Sequence, residues 1–252
     1  MVTTMSMKRD ALLSARDLEI GYGEAPVLRD LSLDIAAGSF IGLIGPNGAG
    51  KTTLALTLSG QFRPQKGQIQ YHGQDIYIHN LNYKRVIGYV HESPFFYPHL
   101  SAEEFLFFIA RIKRVPASDL KIQIAAILDA VKLADERGKL TAHLSQGMRK
   151  KLAIAAALLG TPKILFLDEA LNGVDIESAF HIKQYLQNYT HSGGTVILST
   201  HVLEVIEKIC DRYIILKNGR IVEDVAAENF KTNAAAKNGH DLERYVIQKL
   251  QE

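Results

Sequence analysis

The stretch "FIGLIGPNGAGKTTLALTL", Phe40 to Leu58, runs from an apolar segment through a glycine-rich turn into a helical pattern. Within it "GPNGAGKTT", Gly45 to Thr53, satisfies G-x-x-x-x-G-K-[ST] in the strand–turn–helix setting that makes the pattern specific. The glycines matter because the loop must curl until its backbone N–H groups converge on phosphate oxygens, a shape that side chains obstruct. Gly45, Asn47, Gly48 and Gly50 are thus expected to line a phosphate cradle. Lys51 is expected to bridge the β- and γ-phosphates, Thr52 to ligate Mg²⁺ and Thr53 to donate to the α-phosphate.

A second stretch completes the chemistry. "KILFLDE" places Asp168 at the carboxyl end of a buried strand, where an open α/β sheet presents its ligand crevice. Asp168 is expected to hold Mg²⁺ through a water. Glu169 follows at once, positioned to orient or deprotonate a water attacking the γ-phosphate.

Composition limits the other possibilities. The 252 residues fit a single domain with a small lobe and a tail. Cys210 is the one cysteine, so an intrachain disulfide and Cys/His metal clusters are ruled out, and a reducing compartment is favoured. With 29 Lys+Arg against 27 Asp+Glu there is no global electrostatic case for nucleic acid. The longest apolar runs, such as "ILFL" and "AIAAALLG", fall well short of the roughly 20 residues of a membrane helix. Charges interrupt "MVTTMSMKRDALLSARD" where a secretory signal needs a continuous apolar segment, so a cytoplasmic location is expected.

Along the chain, "DLEIGY", "LSLDI", "SFIGLIG", "RVIGYV", "KILFLDE", "TVILST" and "RYIILKNGRIV" read as strands. Helical patterns lie between them, pointing to an α/β sheet with helices on both faces. Asn218-Gly219 between two apolar runs predicts a closing hairpin. From about Ser101 to Lys139 the texture becomes helical without strands, with Phe105, Phe108, Ile109 and Ile112 at helical spacing. After Asn229 a polar linker precedes "DLERYVIQKLQE", whose Leu242, Tyr245, Val246 and Leu250 form one helical stripe.

"LSQGMRKKLAI", Leu144 to Ile154, opens a basic helix on a serine and a glycine. Such a start offers free N–H groups and the positive end of the helix dipole to an anion. In the order "GPNGAGKTT", "LSQGMRKK", "LFLDEALNGVD" and "LSTH", the chain resembles the nucleotide-binding subunit of ATP-binding cassette (ABC) transporters, from about Ser14 to Glu223.

The resemblance implies an ABC-type P-loop NTPase fold: a RecA-like α/β core (about 14–92 and 160–224), an antiparallel β subdomain, an inserted helical subdomain (about 93–159) and a helical tail (225–252). It implies two such subunits, a homodimer here, sandwiching two ATP head to tail, with Ser145 and the Gly147 N–H meeting the ATP held by Lys51 of the opposite copy. Tyr22 is implied to stack on adenine. His201 is implied to hydrogen-bond the γ-phosphate and steady Glu169, and Asp175 to cross the dimer interface, although a helix N-cap is an equally physical role for it.

Glu92 departs from the family pattern, standing where most members carry a glutamine that reaches Mg²⁺. A carboxylate is a harder oxygen donor than an amide, so Glu92 is still expected to ligate the metal. The "S-x-G-M-[KR]" form of the helix start is similar to that of subunits paired with a separate transmembrane permease in export. The resemblance further implies attachment to the cytoplasmic face of the membrane through that permease. In "SPFFYPHLSAEEFLFF", Phe95, Phe96 and Tyr97 are candidates to line the groove that receives it, whereas Phe105 and Phe108 read as core. Two alternatives stay open: an ABC ATPase of DNA repair, chromosome structure or translation, which typically carries a long coiled coil or a second cassette, and a regulatory cassette that binds ATP without hydrolysing it.

Overall fold

A computed structural model of the chain describes residues 11–228 and 242–251. The first ten residues and the polar linker before the C-terminal helix lie outside them.

Two sheets organise the described residues. The larger has the order β10-β9-β3-β8-β7-β6, formed by β10 (Arg220–Ala226), β9 (Arg212–Lys217), β3 (Phe40–Ile44), β8 (Thr195–Thr200), β7 (Ile164–Asp168) and β6 (Ile87–Val90). All of these pair in parallel except β10, which returns antiparallel along β9. Every residue of β3, β7 and β8 is buried, as a parallel sheet covered on both faces requires, and that is why these runs read as continuously apolar. The β9–β10 turn places Asn218 at φ 48° and Gly219 at φ 76°, the paired left-handed conformation of the hairpin anticipated there.

The second sheet is antiparallel, in the order β2-β1-β4-β5: β1 (Leu13–Ile20), β2 (Leu28–Ile35), β4 (Lys66–Tyr71) and β5 (Gln74–Asp75). It takes "DLEIGY" and "LSLDI" out of the α/β sheet that strand–helix alternation suggested, because β1 and β2 are joined by a short loop with no crossover helix. The strand β4 was missed from sequence. Its alternation of Gly67, Ile69 and Tyr71 with Gln68 and Gln70 is the available signal, and only Ile69 is fully buried. Leu18, Ile20, Leu28 and Leu31 of this sheet share a core with Leu54 and Leu58 of the helix after the phosphate loop, α1 (Lys51–Leu58).

The helical part contains α3 (Ala102–Ile112), α4 (Ala117–Ala130) and α5 (Gln146–Leu158), preceded by the short α2 (Asn80–Arg85). Ser101 and Glu104 form a reciprocal capping box at the start of α3. Phe105 is buried, as expected, together with Leu106 and Ala110, but Phe108 is 38% exposed and Ile112 63%. The apolar stripe of α3 is wider than the face it packs, so helical spacing alone assigned too many residues to the core. Phe96 is corrected in the opposite sense. It is buried edge-on against Phe105 at 5.0 Å and belongs to the core, not to a groove. Phe95 and Tyr97 remain exposed, in an edge-to-face chain that continues to Phe108.

Between β7 and β8 runs α6 (Ile176–His191), and a single-turn helix, α7 (Leu203–Ile206), follows β8. The C-terminal helix α8 (Leu242–Gln251) buries Leu242 and Val246 in the main core with Tyr245 and Leu250 packed alongside, the stripe anticipated from sequence.

Candidate active site

Register decides what meets. Ile44 pairs with Thr200, and Asp168 pairs with Ser199, so three neighbouring parallel strands end at one edge of the sheet. Their next residues are Gly45, Glu169 and His201. The phosphate loop, the acidic pair and the histidine therefore converge although more than a hundred residues separate the first from the others.

The loop delivers its chain into α1 through Gly50, whose φ of 101° an L side chain resists. No side chain caps α1, so its first N–H groups stay available to an anion. Lys51 is buried and turns back on its own loop, donating from Nζ to the carbonyls of Gly45 at 2.8 Å and Pro46 at 3.2 Å. Burial pushes its ammonium below the usual lysine value, against the opposing pull of Glu169, Asp168 and Glu92. Its Nζ lies 3.9 Å from Glu169 Oε1.

Asp168 is held on both oxygens. Thr52 Oγ1 donates to Oδ2 at 2.7 Å, and Ser199 Oγ donates to Oδ1. Glu169, 6% exposed, adopts φ 47°, a left-handed backbone that is costly for a residue with a Cβ. It is fixed there from several directions. Its N–H donates to Ser199, its carbonyl accepts from Lys150 Nζ at 3.1 Å, His201 Nδ1 lies 3.0 Å from Oε1, and Asn172 Nδ2 donates to Oε2 at 2.7 Å.

A cleft of about 390 Å³ opens over these groups, lined by Val27, Asn47, Gly48, Gly50, Lys51, Thr52, Thr53, Glu92, Glu169 and His201. Its basic, hydroxyl and backbone donors suit a polyphosphate, with carboxylates set at one wall. Of the residues expected from sequence, Gly45 and Asp168 stand directly beneath it through Lys51 and Thr52. Tyr22 is 65% exposed, not a core tyrosine, and its hydroxyl lies 3.2 Å from Thr53 Oγ1 with its ring against Phe62.

Ser145, Gly147 and Asp175 are absent from the lining. Ser145 is the N-cap of α5, its Oγ accepting from the Met148 N–H at 3.2 Å, and that helix start faces solvent. Asp175 is the N-cap of α6, accepting from the Ser178 N–H at 2.8 Å. That bond holds its carboxyl below the usual carboxylate range. The N-cap role anticipated for it is therefore observed.

Sequence reasoning missed Val27, Asn172 and the two lysines of α5. Lys150 and Lys151, read only as part of a basic helix, are 4% and 7% exposed. Lys150 spans the carbonyls of Glu92 and Glu169, while Lys151 donates to the Lys132 carbonyl and Ser178 Oγ. The signal was the all-round apolar sequence that follows, Leu152 to Leu158, which demands a buried helix and hence partners for any lysine in its first turns.

These motifs have close counterparts. The ABC transporter family matches residues 28–172, more than half of the sequence. The chain belongs to that family. As an ABC protein it is similar to the SkfA peptide export ATP-binding protein SkfE of Bacillus subtilis, 30% identical over 223 residues that cover 88% of this chain and 92% of SkfE. It is 36% identical over 197 residues to an uncharacterized ABC transporter ATP-binding protein of Nostoc sp., covering 77% of this chain and spanning 58% of that relative's length. Among solved structures, one described as the ATP binding subunit of an ABC transporter superposes with a TM-score of 0.87 at 28% identity, over 96% of this chain and 100% of the other. The ABC chain is accordingly an ATP-binding ATPase subunit with the fold of that family. Among the described residues no helix is long and apolar enough to cross a membrane.

Proposed function

We propose that the chain is the ATP-hydrolysing half of an exporter: two copies close head to tail around two ATP and drive a separate transmembrane permease from the cytoplasmic face of the membrane. The observation that carries this reading is the solvent-facing start of α5. Ser145 and Gly147 present a helix N-terminus, yet it lies outside the lining of the chain's own cleft. A second copy can bring that start to the cleft, where unpaired N–H groups and the helix dipole attract the γ-phosphate.

Each cleft residue then has a task. Lys51 exchanges the carbonyls of Gly45 and Pro46 for the β- and γ-phosphates, and Thr53 and the loop N–H groups hold the remaining phosphate oxygens. Tyr22 offers its exposed ring to adenine. Glu169 accepts a proton from the attacking water, with His201 steadying one of its oxygens. Thr52, Asp168 and Glu92 fit Mg²⁺. Among the described residues no cluster of three or more acidic or imidazole ligands exists, and this ion usually takes one or two carboxylates together with substrate phosphates and waters. When bound it would neutralise phosphate charge. Loss of the γ-phosphate removes the attraction between copies, and the pair can open.

The exposed Phe95, Tyr97 and Phe108 cluster is the surface best suited to an apolar element of the permease. The export-type helix start and the similarity to SkfE support the exporter direction.

Glu169→Gln tests the catalytic pairing. Turnover is expected to fall on the order of 10²-fold or more, as removal of a general base does, while ATP binding survives. Size-exclusion chromatography of this variant should give a dimer with ATP and a monomer with ADP. A monomer under both conditions would contradict the sandwich, and undiminished turnover would remove Glu169 from its role.

A further inference from the structure

We infer that Asn172 is a positioning residue for ATP hydrolysis: its side-chain amide fixes the free oxygen of the Glu169 carboxylate and so holds it in the orientation that accepts the water proton. The inference rests on the assignment of Glu169 as the base.

The two oxygens of Glu169 are served separately. Oε1 faces His201 Nδ1 at 3.0 Å and Lys51 Nζ at 3.9 Å. Oε2 receives the Asn172 Nδ2 donor at 2.7 Å, the shorter contact of the two hydrogen-bonding partners. A carboxylate as buried as this one needs a donor at each oxygen, and a donor to an ionised acceptor is stronger than one between neutral groups. Asn172 is suited chemically because its amide nitrogen donates and cannot itself take up a proton near neutral pH, so it orients the base without competing for the proton.

Geometry makes the contact specific. The Asn172 N–H also donates to the Glu169 carbonyl, closing a tight turn directly after the left-handed Glu169 backbone. The strained residue and its amide partner are thus one local unit. Ala170 and Leu171 of this turn enter the core, whereas Asn172 is only half-buried and its neighbour Gly173 is exposed, so the Asn172 amide is left to serve the carboxylate. The turn also carries the Gly173 carbonyl, against which the start of α5 packs so closely that a Cβ on Gly147 would stand 2.6 Å away. The amide consequently ties the carboxylate to the loop that meets α5.

The test uses the full-length chain and three variants, Asn172→Ala, Asn172→Asp and Glu169→Gln, with steady-state ATPase kinetics, ATP affinity and thermal midpoints. Asn172→Ala is expected to lower kcat about tenfold, the loss of one charge-assisted hydrogen bond, with KM for ATP changed less than about twofold. Asn172→Asp keeps the shape of the side chain but sets a second carboxylate against Glu169. Two carboxylates at that distance share one proton, so the acid limb of the pH–rate profile should move to higher pH by about one unit or more. A purely structural role would lower the thermal midpoint and leave that limb in place. If both Asn172 variants match wild type in kcat and pH profile while Glu169→Gln is inactive, Asn172 is not a positioning residue. If Glu169→Gln retains full turnover, the assignment of the base fails first, and the role of Asn172 with it.

Discussion

The phosphate loop and the start of α5 both combine glycine with lysine, and they use the pair in opposite ways. In the loop, Gly50 supplies a left-handed backbone and Lys51 holds its own loop's carbonyls, which on the proposed reading a ligand replaces. In α5, Gly147 supplies the absence of a side chain against Gly173, while Lys150 braces the carbonyls of Glu92 and Glu169 and Lys151 the Lys132 carbonyl and the Ser178 hydroxyl. On the proposed reading the lysine beside the cleft acts on ligand. A lysine under a helix with several carbonyl and hydroxyl acceptors holds backbone segments together, and burial depresses the Lys150 ammonium as it does that of Lys51.

The largest effect that separates the two regions should come from Lys51→Met. It is expected to weaken ATP binding about 10- to 100-fold, the worth of a hydrogen-bonded charge, with little loss of thermal stability. Equilibrium binding of a fluorescent ATP analogue checks it. Unchanged affinity would break the contrast, because Lys51 would then be a strut as well.

Lys113 sharpens the other side of the comparison. It reaches from α3 to the carbonyls of Ala156, Ala157 and Leu159 at the end of α5, and burial pushes it down to about 8. A lysine lowered in the folded chain contributes stability that is present above its unfolded value near 10.5 and is lost as pH falls through about 8. The unfolding free energy of wild type, referred to Lys113→Met, should therefore rise by about 2–3 kcal/mol between pH 8 and 10.5. Denaturant titrations across that window test it, and a flat difference would show that the ammonium is not held out of water.

Smaller still is the effect of Gly147→Ala. A methyl group forced against the Gly173 carbonyl should cost about 1–2 kcal/mol as overpacking, read from the denaturant midpoint. No change would mean that the loop of Asn172 and Gly173 yields, and that the close approach is not a constraint.

These contrasts also explain what the sequence could disclose. The parallel core was legible because full burial on both faces leaves continuous apolar runs, and the phosphate loop because its backbone shape demands glycine at set positions. Glu169 and His201 were legible through their place at strand ends, and register brings them together. The antiparallel sheet was harder to separate, since a half-buried strand such as β4 carries one fully buried residue among polar ones. Residues that act on neighbours through carbonyl or amide contacts were harder to read. Asn172 looks like a turn residue beside glycine, and its partner Glu169 lies within its own turn; Lys150 stands in a basic run, and the packing of α5 against the ends of β6 and β7 gives it partners. The aromatic segment misled in both directions, because Phe96 and Phe108 differ in burial through the direction each side chain takes, which composition does not encode.

The central proposal is that a working site needs the cleft of one copy and the α5 start of another. Mixing two inactive chains, Lys51→Met and Ser145→Arg, tests it directly, since a mixed symmetric pair places both defects in one site and leaves the other intact. With random pairing an equimolar mixture should recover about a quarter of wild-type ATPase activity at the same total concentration. Activity no greater than the average of the two variants measured alone would contradict the proposal, because each chain would then own a complete site.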